Sequence, residues 1–207
     1  MRLILIGPPA SGKGTQADLL TARLAIPKIS TGDMLRAAKA AGTALGKEAE
    51  AFMTAGKLVP DSVVIGLVEE RLGQSDTARG FILDGFPRTV PQAEALQALL
   101  ERLTAPIEAV VQIAVPRELL MERATLRRID RQSGQIYHLK YNPPPAGADL
   151  VHRADDHEET VKKRLDEYDN MTAALLPFYS ALRLLRKVDG AGSPQSVFSR
   201  LLTSIGK

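Results

Sequence analysis

The stretch Gly7-Pro-Pro-Ala-Ser-Gly-Lys-Gly-Thr15 limits what this chain can fold into more than any other. It follows Met1-Arg-Leu-Ile-Leu-Ile6, an apolar run that reads as a buried parallel strand. It leads into a helical pattern over Lys13 to Leu24 in which Ala17, Leu20 and Leu24 share one face. A tight loop between such a strand and such a helix leaves the first helical N–H groups without intrahelical partners. The helix dipole behind those donors favours an anion. Lys13 supplies a point charge for terminal phosphates, and the Thr15 hydroxyl can reach a phosphate oxygen or its magnesium. The general phosphate-loop pattern ends in Lys followed directly by Ser or Thr, whereas here Gly14 intervenes and the hydroxyl comes one residue later. The spacing predicts a chain that binds nucleotide phosphates.

With 207 residues and 44% hydrophobic content, one main domain with one sizeable core is expected, leaving room for small inserted subdomains. No run approaches the length of a membrane span, and the first six residues read as strand instead of a leader, so a soluble, unexported, cytoplasmic protein is expected. The absence of cysteine excludes disulfides and thiolate-bound zinc. A formal charge of +3 could point to nucleic acid, but 27 basic residues are nearly matched by 24 acidic ones, and aromatics are only 4%. Base stacking has little to build on, so no nucleic-acid partner is expected. Arginines converging on a polyphosphate site account for the same surplus.

Further along, short apolar runs at Pro27 to Ile29, Gly80 to Asp84, Ile107 to Val115 and Leu184 to Val188 read as strands. Helical patterns lie between them, opening at Asp61, running over Pro91 to Leu103 and over Arg117 to about Arg127. A long one starts at Glu158 with a break near Pro177, and another starts at Ser193-Pro194. The expected fold is α/β, a five-stranded parallel sheet of the phosphate-loop type covered by helices, with ligands at the carboxyl ends of the strands. Two segments depart from that alternation. Residues 30–59 read as a helical insertion, Ser30 or Thr31 capping its first helix. Residues 127–156, rich in Gly, Pro and polar residues around Gln135-Ile-Tyr-His-Leu-Lys-Tyr141, read as a small β-rich one. The core then comprises 1–29, 60–126 and 157–207.

Asp84 ends an apolar strand, the position from which a phosphate-loop protein holds magnesium, here through water. Arg36, Arg88, Arg123, Arg127, Arg153 and Arg164 fall at the edges of the expected crevice or on the insertions beside it. Phosphoryl transfer spreads negative charge over three oxygens between two anionic partners, and planar bidentate cations placed around it lower the barrier. No protein nucleophile is needed, because an acceptor phosphate is itself the nucleophile.

Taken with Ser30-Thr-Gly-Asp-Met-Leu-Arg36, Asp84-Gly-Phe-Pro-Arg-Thr-Val-Pro-Gln92, Gly134-Gln-Ile-Tyr-His138, Asn142-Pro-Pro144, Arg153-Ala-Asp-Asp156 and Lys163-Arg164, the chain resembles the adenylate kinase family along nearly its whole length. The resemblance implies reversible, magnesium-dependent conversion of ATP and AMP into two ADP by a monomer. It implies that Ala10, Ser11, Gly12, Lys13, Gly14 and Thr15 cradle the ATP phosphates, that Arg123 and Gly190 meet the adenine of ATP, and that Tyr137 and His138 approach ATP from a lid. For AMP it implies Thr31 and Gln92 at the base and Arg36 and Arg88 at the phosphate. Backbone contacts are expected from Lys57, Leu58 and Val59, with Gly85, Phe86 and Pro87 beside them. Arg127, Arg153 and Arg164 match the arginines that close over the transferring group. Residues 30–59 resemble the AMP-binding flap and 127–156 the ATP lid, whose closure keeps water from the phosphoryl group.

Three departures from the family pattern stand out, the first being a lid shorter than in the long bacterial form, with a gap of 11 residues from Asn142 to Arg153. Ala10 occupies a place often held by Gly, so an ordinary negative φ is expected there. Some relatives bind zinc in the lid through four cysteines. Here Asp130, Ser133, Asp149 and His152 fall at those places, so a hydrogen-bond network is expected in place of structural zinc. A uridylate or cytidylate kinase would share the phosphate machinery, with Thr31 and Gln92 favouring adenine. A nucleotide-binding switch without turnover is the reading from another class; it would leave the arginine set without a purpose.

Overall fold

The computed structural model describes all of residues 1–207. In chain order the first half comprises β1 (Arg2–Ile6), α1 (Lys13–Leu24), β2 (Lys28–Ser30), α2 (Thr31–Ala40), α3 (Ala44–Thr54), α4 (Asp61–Leu72), β3 (Phe81–Asp84) and α5 (Val90–Arg102). The second half comprises β4 (Ala109–Ala114), α6 (Arg117–Thr125), β5 (Arg127–Asp130), β6 (Ile136–His138), β7 (Leu150–Val151), α7 (Glu158–Glu167), α8 (Leu175–Ala181), β8 (Leu185–Asp189) and α9 (Pro194–Ser204). A five-stranded sheet runs in the order β2-β3-β1-β4-β8, and its paired strands are parallel.

Alternation along the central strands explains why both faces of this sheet are covered. Ile4, Ile6, Phe81, Leu83 and Val110 belong to the apolar cluster on one face, while Leu3, Leu5, Ile82, Val111 and Ile113 belong to the cluster on the other. A continuous apolar run with period two satisfies two cores at once. At the edge, β8 exposes Arg186 and Lys187 and buries Val188, a charge pattern that discourages further strand addition.

The segment expected to be a helical insertion holds α2 and α3, which pack closely. Ser30 caps α2 by accepting the Asp33 N–H, and Thr43 caps α3 by accepting the Gly46 N–H at 3.0 Å. A Cβ at Gly46 would lie 2.2 Å from the Ala38 carbonyl oxygen. Replacing Gly46 by alanine is expected to cost about 1–3 kcal/mol through forced separation of the two helices, read as a lower urea midpoint.

The helix after β4 ends sooner than its sequence pattern indicates. Arg127 lies not at the end of α6 but in β5, which pairs antiparallel with β6 and with β7 in the order β6-β5-β7. An apolar seam of Leu120, Ala124, Val161 and Leu165 joins α6 to α7, the helices flanking this small sheet. The break in the long helix also comes earlier than Pro177. A π-helical stretch at Tyr168–Thr172 separates α7 from α8, and Pro177 falls in the first turn of α8, where its missing N–H has no intrahelical partner to lose.

Candidate active site

The loop between β1 and α1 takes the shape that its glycines permit. Gly12, the N-cap of α1, sits at φ 96, a left-handed conformation that favours glycine, and no side chain caps the helix or places a carboxylate in its first turn. Those N–H groups therefore keep their affinity for an anion. Ala10, by contrast with the expectation, has φ 63. The reason is a turn in which the Ser11 N–H donates to the Pro8 carbonyl at 3.2 Å, with Pro9 second and Ala10 third, where a type II turn demands positive φ. Alanine bears that strain because the loop requires the turn.

Lys13 curls back over the loop, its ammonium donating to the Gly7 carbonyl at 2.6 Å and the Pro8 carbonyl at 2.9 Å. Burial lowers its pKa to about 8, assisted by Arg88, Arg164 and Arg127 and opposed by Asp84. Asp84 sits at the end of β3, aligned with Leu5 of β1. A Cβ on Gly14 would be 3.7 Å from its Oδ2, so the carboxylate lies against the start of α1. Desolvation raises the Asp84 pKa, against the pull of Lys13 and Lys28.

One cavity extends from Lys13 across to α2, the 56–59 segment and the loop after β3. It gathers Lys13, Thr31, Arg36, Lys57, Leu58, Val59, Gly85, Pro87, Arg88, Gln92 and Arg164. The Gly85 carbonyl accepts from the Thr31 hydroxyl at 2.9 Å and from Arg88 Nε at 2.8 Å, tying the loop after β3 to α2. Burial, reinforced by Arg164, lowers the Arg88 pKa to about 10. Burial, reinforced by Arg36 and Arg127, does the same to Arg153. Arg164 is lowered as well, by burial first, and is steadied by an ion pair with Asp155 at 3.0 Å. Burial lowers the Arg127 pKa, but two hydrogen bonds to the fully buried Asp156, together with the charges of Asp156, Asp155 and Asp33, outweigh it and raise the value. Phe86 is 1% exposed and belongs to the core, so only its backbone can face a ligand.

Arg123 and Gly190 also meet: Arg123 Nη1 donates to the Gly190 carbonyl at 3.1 Å. Tyr137 and His138 lie on β6. The Tyr137 hydroxyl donates to Gln135 Oε1 at 3.0 Å, and His138 Nδ1 accepts the N–H groups of Lys140 and Tyr141. Of the four residues at the expected lid-network places, Asp130 accepts from the Ser133 hydroxyl at 2.8 Å. Asp149 pairs instead with Arg131, and the His152 ring packs on His157. Sequence reasoning overlooked Met53, Val64, Asp155, Tyr168 and Thr172, all of which line the cavity. Asp155 had a signal in its place beside Arg153; Tyr168 and Thr172 enter through the π-helical stretch, for which the sequence offers none.

A five-stranded parallel sheet with a phosphate loop at the carboxyl end of its central strand, and a cationic cleft running from that loop to α2 and the loop after β3, defines a phosphate-loop nucleotide phosphotransferase. The protein-family model described as Adenylate kinase matches residues 5–183. An adenylate kinase of Sorangium cellulosum is 58% identical over 210 residues, spanning 100% of this chain and 97% of its own. One from Moorella thermoacetica is 51% identical over 214 residues, spanning 100% of this chain and 99% of its own. The chain belongs to the adenylate kinase family.

The depressed Lys13 pKa predicts a measurable proton uptake. Above about pH 8 the free ammonium is increasingly deprotonated, whereas bound phosphates favour its charged form, so ATP binding near pH 9 takes up a proton. Titration calorimetry in two buffers of different ionisation enthalpy reads that uptake, and Lys13→Met abolishes it.

Proposed function

We propose that this chain carries out the family's reaction with ATP bound by the loop between β1 and α1 and AMP bound between α2, the 56–59 segment and the loop after β3. Residues 30–59 then act as the acceptor flap and 127–156 as the lid. One observation carries the reading: Lys13, Arg36, Arg88 and Arg164 line one cavity, and burial, with repulsion from neighbouring arginines, depresses the pKa values of Lys13, Arg88 and Arg164 there, as burial and the charges of Arg36 and Arg127 depress that of Arg153. A cluster of cations held at that electrostatic cost is relieved by a ligand of high negative charge, which two phosphorylated nucleotides supply.

An oxygen of the AMP phosphate attacks the γ-phosphorus of ATP, the bond from that phosphorus to the bridging β,γ-oxygen breaks, and ADP leaves as a second ADP forms. The acceptor oxygen is already anionic, so no protein base is required. Lys13 follows the charge on the transferring group from the loop side, Arg88 and Arg36 hold the acceptor phosphate, and Arg127, Arg153 and Arg164 close from the other side. Asp155 and Asp156 orient that last group without neutralising it fully. Arg123 and Gly190 frame the ATP base, with Tyr137 and His138 approaching from the lid.

The oxygen donors of Asp84 and Thr15 suit magnesium, a hard cation that keeps part of its water shell, so Asp84 would hold it through water. Magnesium, when bound, supplies charge neutralisation on the ATP phosphates. We take the protein to act as a cytoplasmic monomer. The sequence has no cysteine, and no helix is long and apolar enough to cross a membrane.

The experiment is an ADP-forming assay with ATP and, in turn, AMP, UMP, CMP and GMP, repeated after magnesium chelation. AMP is expected to be the preferred acceptor, and chelation to remove most of the rate. Equal use of a pyrimidine monophosphate, or no turnover with AMP, contradicts the reading.

A further inference from the structure

Gln92 is gripped by a residue that the reaction above leaves without a part. Asp61, at the first position of α4, accepts from Gln92 Nε2 through Oδ1 at 2.6 Å and from the Thr89 hydroxyl through Oδ2 at 2.9 Å. At the other end of the same amide, Gln92 Oε1 accepts the backbone N–H of Arg88 at 2.7 Å. Thr89 completes the brace by capping α5, its hydroxyl oxygen accepting the Gln92 N–H at 3.3 Å.

An amide side chain can ordinarily sit either way round, and its neighbours decide which. Here they decide firmly, because a carboxylate only accepts and a backbone N–H only donates. Turning the amide over would put Oε1 against the carboxylate and NH2 against the Arg88 N–H. Gln92 is 2% exposed yet lines the cavity, so solvent would not compensate those losses. The held amide keeps one unused lone pair on Oε1 and one unused N–H on Nε2. A 6-aminopurine offers a donor at its 6-substituent and an acceptor at N1; a 6-oxopurine offers the reverse. With the nucleotide's phosphate fixed by Arg36 and Arg88, the base cannot exchange those two positions.

We propose that Asp61 is a positioning residue that sets the polarity of the Gln92 amide and so makes the acceptor site select 6-aminopurine over 6-oxopurine monophosphates. The inference rests on the assignment of this cavity to AMP. Asp61 touches no substrate; it acts through Gln92, and Thr89 and the Arg88 backbone N–H hold the same arrangement from the other sides.

The test compares AMP and IMP as acceptors, with ATP as donor, for the wild-type chain, Asp61→Asn and Asp61→Ser, with thermal unfolding followed in parallel. The wild-type chain is expected to prefer AMP by about a hundredfold or more in kcat/KM, the scale set by leaving buried polar groups unpaired. In Asp61→Asn the new amide can meet Gln92 with either its oxygen or its NH2, so the Arg88 N–H alone opposes a turned-over Gln92; KM for AMP then rises while KM for IMP falls, and the preference shrinks about tenfold or more. Asp61→Ser removes the carboxylate with less bulk, shrinks the preference in the same sense, and decides the matter if the Asn variant does not fold. A folded variant whose losses are equal for AMP and IMP, or whose preference is unchanged, overturns the proposal. A wild-type chain that does not use AMP overturns the assignment of the cavity instead.

Discussion

Replacing Lys13 by alanine is expected to lower the rate of ADP formation by about two to three orders of magnitude, the scale of removing one preorganised donor from a transition state rich in negative charge. Lys13, the first residue of α1, is the only lysine or arginine between Arg2 and Arg23, and the Gly7 and Pro8 carbonyls already aim its ammonium over the preceding loop. The loss is expected mainly in kcat, because the backbone N–H groups at the start of α1 still bind phosphate in the ground state. Steady-state assays over a range of ATP concentrations check it. A variant that keeps its kcat would favour a switch that binds nucleotide without turning it over.

Replacing Asp156 by alanine has the larger structural effect. The carboxylate is fully buried, receives two hydrogen bonds from Arg127 and lies 3.7 Å from Arg164. Removing it leaves Arg127 partly buried and without its closest counter-charge, a change that costs about 3–5 kcal/mol when one partner of a buried pair is lost. Denaturant unfolding checks that figure. Activity is expected to fall about a hundredfold or more even in the fraction that stays folded, because the contact proposed for Arg127 with the transferring group then loses its fixed geometry. Asp156→Asn, which preserves shape and an acceptor oxygen, is expected to recover part of the stability and less of the activity.

Much of the architecture was legible because it follows from local rules. The apolar runs of the five parallel strands, the caps at Ser30 and Ser193, and the loop from Gly7 to Thr15 each carry their signal within a few residues. The end of α6 was read about two residues late, and β5 as such was not legible, because Arg-Arg-Ile-Asp has no apolar alternation. It becomes a strand only by pairing with residues 136–138 and 150–151. The φ of Ala10 follows from a turn that only the folded loop reveals, and the π-helical stretch has no local sequence cue. Asp61 was readable as a helix opener, but its partners Thr89 and Gln92 stand on another helix and its approach, 28 and 31 residues away. Local chemistry places the elements, and long-range pairing decides which side chains face one another.

The most direct measurement follows a labelled γ-phosphorus from ATP in the presence of AMP. Label that appears in the β-phosphate of newly formed ADP, with two ADP made for each AMP consumed and little inorganic phosphate released, is the predicted result. Label that accumulates as inorganic phosphate while AMP remains unchanged would contradict a cleft built to pass the group from one nucleotide to the other.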